Sequence, residues 1–122
     1  MNYSTRNINK IVKFIIIHYT GMKSFKLAFN RLNGLNSEVS CHYLISRSGK
    51  IYNILNPEIK AWHAGYSEWK TYKNLNDYSI GIELENKGHE FGYQNFTKLQ
   101  IKSLIALLKY LKKNIELKKQ IS

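Results

Sequence analysis

The sequence predicts an α/β domain built on a mixed central β-sheet with flanking helices, and three observations carry that prediction. Ile11 to Ile17 is a β-branched run of strand length. Tyr78 to Glu85 alternates, with Ile80, Ile82 and Leu84 pointing one way and Ser79, Gly81, Glu83 and Glu85 the other. Segments of helical period follow both, so the order strand, helix, hairpin, loop, strand, helix interleaves the two element types.

Taken in order, the apolar run from Ile11 reads as a strand buried on both faces and central in the sheet. Ser24 suits the cap of a helix whose apolar positions Phe25, Ala28, Phe29 and Leu32 share one face, and Gly34 suits its stop. His42 to Arg47 and Lys50 to Leu55 flank Ser48 and Gly49, a turn signal, and predict a hairpin closed by Asn56 and Pro57. From Glu58 to Asp77 the chain is polar, aromatic and aperiodic, which predicts a long irregular loop of the functional kind. Thr97 and Gln100 form a capping box, with Phe96 and Ile101 placed as a hydrophobic staple. The helix that follows carries the stripe Ile101, Leu104, Ile105, Leu108, Leu111 and Ile115, expected to face the sheet.

A chain of 122 residues holds one modest core, and 43% hydrophobic with 22% charged residues suits a folded globular protein. Residues 1–10 read as a polar N-terminal lead and residues 11–122 as the domain. The formal charge of +11 favours polyanions in general. Lys98, Lys102, Lys109 and Lys113 recur at helical spacing and read as a solvated face. No aromatic-interleaved basic stripe or nucleic-acid motif stands in the chain, so nucleic acid is not the expected partner. A single cysteine, Cys41, excludes an internal disulfide. No apolar run reaches the roughly 20 residues of a membrane span, and no secretory leader is visible, so a cytoplasmic protein is expected.

Read as residues alone, His18 at the end of its strand suits a metal ligand facing a cleft, or a hydrogen-bonded core histidine. Glu83 lies on the strand face of Gly81, where a missing side chain lets a ligand approach. It suits a general acid or base, or a surface carboxylate paired with a lysine. Trp62 and His63 fall in the long loop and suit either a ligand contact or loop anchoring. Cys41 reads as a small buried hydrophobe, with a makeshift metal site shared with His18 as the alternative.

Four blocks stand at suitable distances: His18, Tyr19 and Thr20; Val39 to Ile45, containing Cys41 and His42; Ala61 to Gly65, containing Trp62 and His63; and Asn76 to Asn86, containing Glu83 and Glu85. Together they resemble the zinc-dependent N-acetylmuramoyl-L-alanine amidases of the type 2 amidase family, related to peptidoglycan recognition proteins. The likeness runs from about Val12 to the last residue. The resemblance implies the amidase type 2 fold and hydrolysis of the amide joining N-acetylmuramic acid to L-alanine in peptidoglycan or a muropeptide. It implies His18 as a zinc ligand, Glu83 as the catalytic acid, and Trp62 and His63 as substrate contacts. His42 is assigned to the substrate site with them, or to a supporting place behind it.

In the resembling family a later His and an Asp complete the zinc site, and this chain ends at Ser122 before either. The resemblance therefore implies a domain lacking its C-terminal segment, an incomplete zinc site and an impaired enzyme. An interrupted gene or a separate polypeptide supplying the segment would each account for such an end. The alternative function is a non-catalytic muropeptide-binding module.

Overall fold

The computed structural model describes residues 3–5, 14–33, 41–56, 59–61, 68–69, 72–73, 79–88, 92 and 94–114. Along the chain the elements are β1 (Tyr3–Thr5), β2 (Phe14–Tyr19), α1 (Phe25–Asn33), β3 (Tyr43–Ile45), β4 (Ile51–Asn53), β5 (Ile59–Ala61), β6 (Glu68–Trp69), β7 (Tyr72–Lys73), β8 (Ser79–Leu84) and α2 (Lys98–Asn114). Four of the strands make a mixed sheet in the order β2, β8, β3, β4. β8 runs parallel to both β2 and β3, while β3 and β4 form the antiparallel hairpin expected around Ser48 and Gly49.

The alternation along β8 sorts the two layers. Ile80, Ile82 and Leu84 bury themselves with Tyr43, Ile45, Leu104, Leu107 and Leu111, which is the α2 side of the sheet. On the other side Leu44 packs with Leu32 and Cys41, joined by Phe25, Phe29, Tyr52 and Ile54. Phe25 and Phe29 meet the Tyr52 ring with centroids 4.9 and 5.7 Å away, so α1 is seated on the hairpin by aromatic contacts. The Leu27 N–H donates to Ser24 Oγ at 3.2 Å, giving α1 the cap its sequence calls for.

α2 begins as the capping box predicts: Thr97 N–H donates to Gln100 Oε1 at 3.2 Å and Gln100 N–H to Thr97 Oγ1 at 3.0 Å. Its buried stripe differs from the expected one. Gln100, Leu104, Leu107 and Leu111 face inward, while Ile101 and Ile105 remain 38% and 48% exposed. The reason is Gln100, whose Nε2 donates to the carbonyls of Ile45 at 3.2 Å and Glu85 at 2.8 Å and so turns its own side of the helix onto the sheet. Phe96 is 42% exposed as well, so the two positions expected to form the staple stay at the surface. Ile115 lies outside the described residues.

Three further expectations change. β2 flanks the sheet among the described strands, and β8 takes the central place; Ile17 and Tyr19 are correspondingly 44% and 47% exposed. A β-branched run states that a strand forms but not which neighbours it takes. The polar lead contains β1, which pairs antiparallel with β5, and the loop from Glu58 to Asp77 contains β5 and the two-residue ladder of β6 with β7. Segments of two or three residues are too short for a period to show in sequence. Among the described residues no helix is long and apolar enough to cross a membrane.

Candidate active site

β2 and β8 run parallel with His18 opposite Glu83, so the two side chains rise from the same sheet face on strands that neighbour at roughly 4.8 Å. This is the face carrying Gly81 and covered by α1. Beyond the strand ends the ladder continues into a loop. Thr20 N–H donates to the Leu84 carbonyl at 3.0 Å, Gly21 N–H to the Asn86 carbonyl at 2.8 Å, and the Thr20 hydroxyl both accepts from Asn86 N–H and donates to its carbonyl, each at 3.1 Å. The loop from Thr20 to Met22 is thereby fixed as a wall.

Between that wall and α1 lies a cavity of about 250 Å³, lined by Thr20, Gly21, Met22, by Ala28, Arg31 and Leu32 of α1, and by Glu83. Glu83 Oε2 is buried and has no hydrogen-bond partner among the described residues. Burial pushes the Glu83 carboxyl up to about 8 from an ordinary 4.5, because a carboxylate there would lose its hydration without a compensating donor. A buried, unpaired carboxyl facing a cavity is costly to keep, and such groups concentrate at functional sites. His18 is not part of the cavity lining. Partial burial lowers its pKa, which favours the neutral imidazole that metal coordination requires.

His42 stands elsewhere than a substrate contact would. It is 0% exposed, and its Nδ1 accepts the Gly81 N–H at 3.0 Å while its own N–H donates to the Gly81 carbonyl. It supports the backbone of β8 two residues before Glu83, and the expectation of direct substrate contact is corrected on that ground. Cys41 is likewise buried, with Sγ 3.2 Å from the Tyr43 carbonyl. Burial first, then the Glu83 charge, raise its thiol well above the ordinary value against the opposing effect of backbone hydrogen bonds, so the thiolate a metal would need is disfavoured. Glu85 is engaged structurally: its Oε1 accepts the Arg47 N–H at 2.9 Å. Trp62, His63 and His89 lie outside the described residues.

Two residues of this region escaped the sequence reading. Arg31 sits among apolar helix positions and carries no motif, so only the fold brings it to the cavity. Asn86 ends the Asn76 to Asn86 block; its Oδ1 accepts Gly88 N–H at 2.9 Å and its Nδ2 donates to the Gln94 carbonyl at 3.0 Å, fastening the loop behind Glu83. An Asn just after a strand is a turn signal that could have been noticed.

Among the described residues no three His, Cys, Asp or Glu side chains group as a metal site. His18 fits one position of such a site by its place and its neutral form; further donors would have to come from outside the described residues.

The two helix layers enclose a sheet that carries a buried carboxyl and an imidazole on adjoining parallel strands, and comparison with known proteins gives this arrangement a family. This chain belongs to the N-acetylmuramoyl-L-alanine amidase family, which matches residues 8–122. Among curated relatives it is similar to the N-acetylmuramoyl-L-alanine amidase AmiD of Escherichia coli, 37% identical over 110 residues, covering 80% of this chain and 39% of AmiD. It is also similar to the 1,6-anhydro-N-acetylmuramyl-L-alanine amidase AmpD of Haemophilus influenzae, 41% identical over 76 residues, covering 62% of this chain and 39% of that protein. Among solved structures, AmiD in complex with the substrate anhydro-N-acetylmuramic acid-L-Ala-D-γ-Glu-L-Lys superposes with a TM-score of 0.76 at 34% identity, over 88% of this chain and 45% of AmiD. AmpDh3 of Pseudomonas aeruginosa in complex with anhydromuramic pentapeptide gives 0.76 at 31% identity, over 85% and 46%. The chain thus spans about two-fifths of the length of the curated relatives named.

Proposed function

We propose that the chain serves in hydrolysis of the amide between N-acetylmuramic acid and L-alanine in peptidoglycan fragments, with Glu83 as the group that moves the proton. The observation that carries this reading is the unpaired, buried Glu83 Oε2 beside His18 at the ends of adjoining parallel strands. A carboxyl with a pKa of about 8 holds or releases a proton near neutral pH. It is suited to take one proton from the attacking water as the oxygen bonds to the carbonyl carbon, and to deliver it to the nitrogen as the C–N bond breaks. The products are the free lactyl acid and the amino terminus of L-alanine. Trp62 and His63 are proposed as contacts to the muropeptide.

His18 is proposed as a ligand for zinc. When bound, zinc in such a site supplies a water whose pKa is lowered to about 7 and polarisation of the carbonyl. His18 must stay neutral to serve, and its partial burial favours that form.

Zinc titration of the purified chain by calorimetry, followed by mass spectrometry of an anhydromuramyl tripeptide incubated with it, tests the reading. Release of the intact peptide stem, abolished by Glu83→Gln, supports the proposal. Loss of zinc binding in His18→Ala supports the ligand assignment. Zinc-independent binding of the muropeptide with no cleavage would instead make the chain a recognition module.

A further inference from the structure

We propose that Arg31 forms a carboxylate subsite in the cavity beside Glu83, selecting peptide stems whose second residue keeps a free α-carboxylate. The inference rests on the muropeptide reading above and adds a specificity to it.

Arg31 and Glu83 line the same cavity of about 250 Å³ from opposite layers, one from α1 and one from β8. The two charges do not satisfy each other: Glu83 Oε2 has no partner, and burial is the cause of the Glu83 shift with no offsetting contribution from a cation. The Arg31 guanidinium makes no hydrogen bond or ion pair among the described residues. A guanidinium presented to a cavity without an internal anion is available to one arriving with a ligand, and its planar fork matches a carboxylate in bidentate fashion. The chain's charge of +11 attracts an anion to that site from a distance.

The substrate chemistry supplies such an anion at a suitable place. In the ligand bound to AmiD, the glutamate is joined to the next residue through its γ-carboxyl, and this leaves its α-carboxyl free. That carboxylate stands one residue beyond the L-alanine nitrogen released by cleavage, roughly 6 Å along an extended backbone. A fragment with its scissile amide at Glu83 therefore carries a negative charge within the span of a cavity that Arg31 borders. Amidation of the same α-carboxyl would remove the charge and leave the shape almost unchanged. Thr20, Gly21 and Met22 form the fixed wall against which the stem would lie, with the Thr20 hydroxyl already bonded to Asn86.

The test measures binding of two anhydromuramyl tripeptides that differ only in this group, the free acid and its α-amide, to the purified chain by calorimetry in low salt. The wild-type chain is expected to bind the acid at least tenfold more tightly. Arg31→Gln should remove that preference by weakening the acid alone, and Arg31→Lys should retain part of it. Arg31 is exposed and outside the buried cluster of α1, so the variants are expected to keep the wild-type melting temperature. Equal affinity of the wild-type chain for acid and amide, or an equal loss for both in Arg31→Gln, overturns the subsite and leaves the muropeptide reading standing. Absence of binding to either stem overturns that reading and the subsite with it.

Discussion

At the scale of single residues, Glu83 decides most. Its pKa of about 8 in the folded chain, against an ordinary 4.5, means that between those values the folded state holds a proton the unfolded state has released. The metal-free chain is therefore most stable at the acidic end of that window. It loses stability as pH rises toward 8 and levels off above it, by on the order of 5 kcal/mol in total. Glu83→Gln keeps the volume and abolishes the titration, so urea unfolding at pH 5, 7 and 9 should show this slope in the wild type and a flattened one in the variant. Equal slopes would mean that Glu83 is hydrated in solution. The position of this carboxyl was legible because an alternating strand announces its own two faces and Gly81 marks the open one. The environment of Arg31 was not legible, because it depends on where α1 settles over the sheet. Sequence alone leaves His42 between the substrate site and a supporting place behind it for a similar reason: a motif histidine is visible there, but its burial against the backbone of β8 is a property of the packed sheet.

At the scale of elements, the joint between α2 and the strand ends rests on one side chain. Gln100 caps its own helix and donates to the carbonyls of Ile45, the last residue of β3, and Glu85, just past the end of β8, and it is fully buried. Gln100→Ala would take this partner from the Glu85 carbonyl and the Thr97 N–H, while the Ile45 carbonyl keeps the Glu85 N–H, and would open a void, at a cost of about 2–4 kcal/mol in chemical denaturation. The capping box was readable from Thr97 and Gln100 alone, but the second task of Gln100 was not, and the stripe assigned from apolar residues was rotated in consequence. The hairpin turn offers a sharper comparison. Gly49 adopts φ +88°, and a Cβ there would stand 2.9 Å from the Leu99 carbonyl oxygen, whereas Gly92 has φ +85° and a Cβ there would meet none of the described residues within 4 Å. Alanine at Gly92 should cost only the backbone strain, about 1 kcal/mol, while alanine at Gly49 adds a steric clash with helix backbone and should cost clearly more. Similar losses at the two sites would show that the hairpin turn and α2 are not held at this separation.

At the scale of the whole molecule, the layers differ in what protects them. β8 has a strand on each side and a helix layer over each face, and Ile80 and Ile82 are completely buried. β6 and β7 make a ladder of two residue pairs separate from that sheet. Two-stranded ribbons of this length contribute little independent stability. Amide hydrogen exchange should therefore divide the chain: the amides of Ile80 to Leu84 exchange only through global unfolding, and those of β6 and β7 exchange through local opening at much lower free energy. The Gly81 amide is the informative case. It lies two residues before Glu83 and donates to the His42 ring, so His42→Ala should raise its exchange rate more than that of Ile82 if the imidazole supports β8 locally. A uniform rise along β8 would mean that His42 contributes only to global stability, and the support it is assigned here for the Glu83 strand would be lost.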